Sequence, residues 1–73
     1  MKNMDFKLRQ EDDFIKLGQL LKACDLAGNG GEAKIRILEG DVKVNGGVET
    51  ARGKKIKAGD KVEIDDVCID VIK

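Results

Sequence analysis

The 73-residue sequence predicts an α+β domain in which two helices pack on one face of a small, mainly antiparallel sheet. Three observations carry that expectation. Apolar residues between Phe14 and Leu38 recur at spacings of three and four, the period of amphipathic helices. From Gly40 onward the period falls to two and turn residues punctuate the chain, as in short strands joined by hairpins. Met4, Phe6 and Leu8 alternate with Asp5, Lys7 and Arg9 at the N-terminus, which adds one more half-buried strand.

That first strand belongs to an N-terminal extension, residues 1–13, and is expected to join an edge of the sheet. Glu11 to Asp13 stand where a helix N-terminus favours negative charge, with Asp13 placed to cap it. The first helix is expected over "FIKLGQLLKAC", residues 14–24, with Phe14, Leu17, Leu20, Leu21 and Cys24 as its apolar stripe, Gly18 tolerated inside it and "LAGNGG" ending it. The second is expected to start near Gly31 and run to Gly40, whose missing Cβ suits the left-handed position after a helix. On a helical wheel Ala33, Ile35, Ile37 and Leu38 span a broad arc, which predicts protein contact on both sides of this helix. Lys34 falls inside that arc, either snorkelling past apolar neighbours or standing at the rim of a ligand site. Val42 and Val44 then lead to the "NGG" turn, Ile56 precedes "AGD", Val62 and Ile64 lead to Asp65 and Asp66, and Val67, Ile69 and Val71 form a closing strand within residues 66–73. No repeat or linker divides the chain, so residues 14–65 are read as the core of one domain.

Size and composition exclude several functions. A chain this short buries about 60% of its unfolded surface, which leaves little material for a deep enzyme cleft. His and Ser are absent, and the adjacent acids at 12–13 and 65–66 fall at element boundaries where turns account for them, so no catalytic residue is assigned. Cys24 and Cys68 are far apart with no His to complete a metal site; they read as buried free thiols, with no metal and no cofactor. The N-terminus lacks the apolar run of a signal peptide and no segment has membrane-span length, so the expected location is cytoplasmic. Trp and Tyr are absent, which removes the usual base-stacking platforms and leaves cations and backbone for any contact with nucleic acid.

Zero net charge conceals an asymmetry. Residues 1–33 hold five cations and six acids, residues 34–61 eight and four, and residues 62–73 one and four. Exposed charges are screened beyond roughly 8 Å at physiological salt, so an anion docking on the middle segment responds to that local excess. Arg52, Lys54, Lys55 and Lys57 concentrate it with no acid among them. "GNGGEAK" lacks the spacing and the Lys-Ser/Thr ending of a nucleotide-binding P-loop, yet glycines opening a helix expose backbone N–H groups at its positive end, with Lys34 one turn on.

Between Lys16 and Ile64 the chain has Lys16 and Leu17 opening the first helix, Ala33 followed by a basic residue in the second, Gly40, "VKVNG" at 42–46, and "GD" at 59–60 before an alternating strand. In that order and spacing they resemble the RNA-binding domain named after ribosomal protein S-four, the alpha-L motif, and are most similar to small bacterial proteins in which that domain stands alone. The resemblance implies two helices and a sheet gripping the sugar-phosphate backbone of structured RNA, ribosomal RNA or an assembling ribosome being the partner it suggests. Carried over by position, it implies contacts from Lys16, Lys34, Lys43, Arg52, Lys54 and Lys55, from the glycine-rich helix end at Gly30 and Gly31, and from a hairpin shaped by Asn45 and Gly46. Many members have Ser-Arg where this chain has Asn29 and Gly30, so backbone N–H groups and Lys34 stand in for a guanidinium clamp. Lys outnumbers Arg among these sites, which favours point contacts with phosphate over bidentate reading of bases. Two other classes compete: a protein-interaction module meeting an acidic partner, and a ubiquitin-like sulfur carrier, against which the ending "DVIK" in place of Gly-Gly argues.

Overall fold

Alternation builds the sheet, and the computed structural model, which describes residues 2–73, shows where each strand goes. Strands β1 (Lys2–Lys7), β3 (Val42–Val44), β4 (Gly47–Val48), β6 (Lys61–Ile64) and β7 (Val67–Ile72) form one five-stranded sheet in the order β1-β7-β6-β3-β4. All its pairings are antiparallel except the edge, where β1 runs parallel to β7 with Met4 opposite Ile69 and Phe6 opposite Val71. The expected N-terminal edge strand is therefore present, and its apolar positions share a face with those of β7. Two short strands, β2 (Ile15–Lys16) and β5 (Lys55–Ile56), pair antiparallel as a separate two-stranded ladder.

Helices α1 (Leu17–Ala23) and α2 (Gly30–Leu38) cover the apolar face of the sheet. Leu17, Leu20, Leu21, Ala33 and Ile37 meet Val42, Val62, Ile64, Ile69 and Val71 in a single aliphatic core, joined by Leu8 and Ile56. At about 25 cal/mol per Å² of buried apolar surface, this layer is what holds so small a chain together. Both cysteines are free thiols; Cys68 is buried, and Cys24, half-buried at the end of α1, has its pKa raised by desolvation.

The structure corrects four expectations. The first helix begins at Leu17, because Ile15 and Lys16 pair with Ile56 and Lys55 and the amides of Leu17 and Gly18 donate to the carbonyls of Lys54 (2.9 Å) and Arg52 (3.0 Å). Tertiary pairing thus takes the residues that the apolar period had placed in a helical turn. Asp13 caps nothing: Lys16 is the N-cap without a side-chain bond, and Asp13 lies 3.8 Å from the Lys73 ammonium. The residue that closes α1 is not one of the glycines but Asp25, which lies just beyond the C-cap Cys24 and takes a left-handed φ of 61° while Leu26 donates back to the Leu21 carbonyl. In α2 only Ala33 and Ile37 are buried, whereas Ile35 and Leu38 remain 56% and 59% exposed. The helix contacts protein along one side only, so the broad arc is half core and half open surface.

Candidate functional site

The start of α1, the start of α2 and the turn before β5 meet at one place. The hydrogen bonds from Leu17 and Gly18 staple the 52–54 turn across the first residues of α1, and the Arg52 side chain begins 3.7 Å from where a Gly18 Cβ would stand. The outcome is a shallow cleft of about 270 Å³ whose lining includes Lys16 and Lys22 of the α1 region, Gly30 and Lys34 of α2, and Arg52. Four cations from three segments therefore share one concavity. Lys34 lies on the same side of the molecule as Arg52, and both line this cleft.

The positive end of α2 closes this cleft. Asn29 is its N-cap, with Oδ1 accepting from the Glu32 amide (2.8 Å), while the Glu32 carboxylate reaches back to accept from the Gly28 amide (3.1 Å). This is a close variant of the reciprocal capping box. The first intrahelical donor is Ala33, bonded to the Asn29 carbonyl (3.1 Å), so the amides of Gly30 and Gly31, both exposed residues, have no acceptor within the helix. A Cβ on Gly30 would be 4.0 Å from the Lys22 ammonium, which sets that charge at the same helix terminus.

The cations of "RGKKIK" diverge. Arg52 enters the helix cleft, whereas Lys54, Lys55 and Lys57 line an adjoining cleft of about 570 Å³ with Asn45 and Asp60, Gly53 being common to both. The Lys55 ammonium lies over the Phe14 ring, 5.0 Å from its centroid, close enough for a cation–π contact. Asp60 anchors the second cleft: its carboxylate accepts from the Lys57 amide (2.8 Å) and from Asn45 Nδ2 (3.1 Å). Those two bonds, then the nearby charges of Lys54 and Lys57, hold its pKa below the ordinary aspartate value. Asn45 also accepts from the Lys61 amide (2.9 Å), so its side chain is engaged in tying the β3–β4 turn to β6. Asn45 and Gly46 have φ values of 52° and 88°, the geometry of an Asn-Gly hairpin.

Lys43 stands apart. It alternates with the buried Val42, so it projects from the sheet face away from the helices, in a shallow surface with Asp41, Glu63 and Asp65. The Arg36 guanidinium is engaged too, bonding Asp41 (3.0 Å) and Asp65 (2.6 Å), and these bonds raise its pKa. Among the described residues, no cluster of three or more His, Cys, Asp or Glu is arranged to hold a metal, and no helix is long and apolar enough to cross a membrane.

Residues 6–72, nearly the whole chain, match the S4 domain family. The chain belongs to that family. Among its relatives, the "Probable ribosome maturation protein RlbA" of Bacillus subtilis is 42% identical over 55 residues, covering 75% of this chain and 78% of the relative. The "Putative RNA-binding protein YbcJ" of Escherichia coli is 48% identical over 48 residues, 66% of this chain and 69% of the relative. Within this S4 domain, the cleft residue that sequence reasoning overlooked is Lys22. The signal was available: Lys22 lies opposite the Leu17, Leu20, Leu21 stripe of α1, but only the loop from Cys24 to Asn29 carries that exposed side round to the α2 terminus.

Proposed function

We propose that this S4 domain is a non-catalytic cytoplasmic protein that grips the phosphate backbone of structured RNA, with ribosomal RNA or a ribosome-assembly intermediate as the target. The observation that carries the reading is the convergence of Lys16, Lys22, Lys34 and Arg52 on the open end of α2. A phosphate entering there meets the amides of Gly30 and Gly31, the favourable end of the helix dipole and several ammonium groups at once. Lys54 and Lys55 extend the track beyond Gly53 for a following phosphate. Asn45 and Gly46 contribute by fixing the hairpin beside it, and Lys43 adds at most a peripheral contact from the far face. Contact of this kind follows the shape of an RNA helix more than its sequence. The ribosomal target is favoured by the name of the Bacillus relative, and RNA as ligand by that of the Escherichia relative.

Salt titration tests the reading directly. Four engaged phosphates give a loss of roughly two orders of magnitude in affinity between 50 and 200 mM salt, taking the duplex relation as guide. Lys22→Glu and Lys34→Glu each reverse one charge in the cleft and are expected to weaken binding about tenfold or more across unrelated structured RNAs, measured by fluorescence anisotropy. Unchanged titration curves for both variants, with circular dichroism showing an intact fold, would remove the site assignment. An acidic protein would engage the same cations, so failure of unrelated structured RNAs to compete with it would favour the protein-interaction reading instead.

A further inference from the structure

A second cleft, of about 760 Å³, lies between the segment after β1 and the outer side of α1. Lys16, Gln19 and Lys22 line it and also line the helix cleft, so the two share a wall. Its lining includes Phe6 and Phe14, the only aromatic residues of the chain, both half-buried. Lys55 lies over the Phe14 ring yet does not line this cleft, whereas Phe14 does. The loop wall carries one cation, Arg9, and three acids, Glu11, Asp12 and Asp13, with Asp12 3.4 Å from Arg9 and Asp13 3.8 Å from Lys73.

Aromatic surface, an amide side chain and carboxylates suit a nucleobase better than a phosphate. A flat base stacks on a ring, and carboxylates accept hydrogen bonds from exocyclic amino groups but repel phosphate. The cations on the shared wall are where that nucleotide's phosphate would remain. We propose that this cleft is a subsite for one unstacked nucleobase of the bound RNA, resting on Phe14 with its amino edge towards the Asp12–Asp13 loop. The proposal rests on the RNA-binding reading above and narrows it: the preferred RNA has a bulged or unpaired nucleotide beside a helix, carrying adenine or cytosine more readily than uracil, which lacks an exocyclic amine.

The test uses two hairpin RNAs identical except for one bulged adenosine. Wild-type protein is expected to bind the bulged form about 5- to 100-fold more tightly, the range associated with one base stacked on an aromatic side chain. Phe14→Leu preserves apolar volume and should abolish that preference, lowering affinity for the flush hairpin only by what the loss of the Lys55 contact with the ring removes. Only two aromatic rings are present, so ring-proton resonances of Phe14 report the contact directly and should move upfield with the bulged RNA alone. An unchanged preference in Phe14→Leu, equal loss of both RNAs, or unmoved ring resonances overturns the subsite, while binding to the flush hairpin that depends on Lys22 and Lys34 keeps the broader reading. Binding to neither RNA overturns both. Equal affinity for bulged uridine and adenosine overturns the role given to the loop carboxylates.

Discussion

A single carboxylate decides how the basic turn is presented. Asp60 accepts from the Lys57 amide and the Asn45 side chain, and the nearby charges of Lys54 and Lys57 help to lower its pKa. With its folded pKa below the ordinary value of 3.8, ionised Asp60 contributes stability that is complete above that value and is lost as pH falls through the lower, folded pKa. Urea denaturation between pH 5 and pH 2.5 should therefore show a steeper acid loss of stability in the wild type than in Asp60→Asn. Parallel loss in both proteins would mean that Asp60 contributes no acid-labile stability. Sequence reading placed Asp60 in a turn but could not show its bond to the Asn45 side chain, because Asn45 and Asp60 are 15 positions apart and their hydrogen bond exists only once β3 lies beside β6. The basic character of Lys54 and Lys57 was legible; the hydrogen-bonded carboxylate beside them was not.

At the scale of elements, both helices end in the same way with different residues. After α2, Gly40 takes φ 81° as Asp41 donates to Arg36; after α1, Asp25 takes φ 61° as Leu26 donates to Leu21. Each is the Schellman closure, which glycine adopts without the strain that a Cβ brings. Asp25→Gly is expected to stabilise by about 0.5–1 kcal/mol and Gly40→Ala to destabilise by about 1 kcal/mol, opposite signs at equivalent positions. Thermal unfolding reads both, since 1 kcal/mol moves the midpoint of a domain this size by about 4–8 °C. Shifts of the same sign would show that local strain is not what distinguishes the two ends. Gly40 was legible from composition, since a glycine after an apolar period is a strong stop. Asp25 was hidden by the three glycines beyond it. The start of α1 was misread for a related reason: the period of Phe14 and Leu17 suits a helix, but Ile15 and Lys16 gain more by pairing with Ile56 and Lys55 of β5, distant in sequence.

For the whole molecule the relevant property is where the charges are segregated, because net charge is zero. The cations of the helix cleft occupy the helical side, whereas Asp5 and Asp70 stand directly opposite one another on β1 and β7, projecting from the far face because they alternate with the core-facing Met4, Phe6, Ile69 and Val71. The molecule measures 31 × 24 × 20 Å, so the two faces are separated by more than the screening distance of roughly 8 Å at physiological salt. Glu32 is the contrary case, an acid in the first turn of α2 beside the amides of Gly30 and Gly31. Its replacement by Gln keeps an oxygen to accept from the Gly28 amide while removing charge where a phosphate would dock. RNA affinity at 100 mM salt should therefore rise about three- to fivefold in Glu32→Gln, and change by less than about twofold in the Asp5→Asn, Asp70→Asn pair despite its larger change in net charge. The far-face pair should instead gain a few tenths of a kcal/mol in stability by relieving like charges across neighbouring strands. If the double variant strengthened binding more than Glu32→Gln did, RNA would be responding to total charge or to the other face of the sheet. The helix cleft would then no longer be the site of phosphate contact.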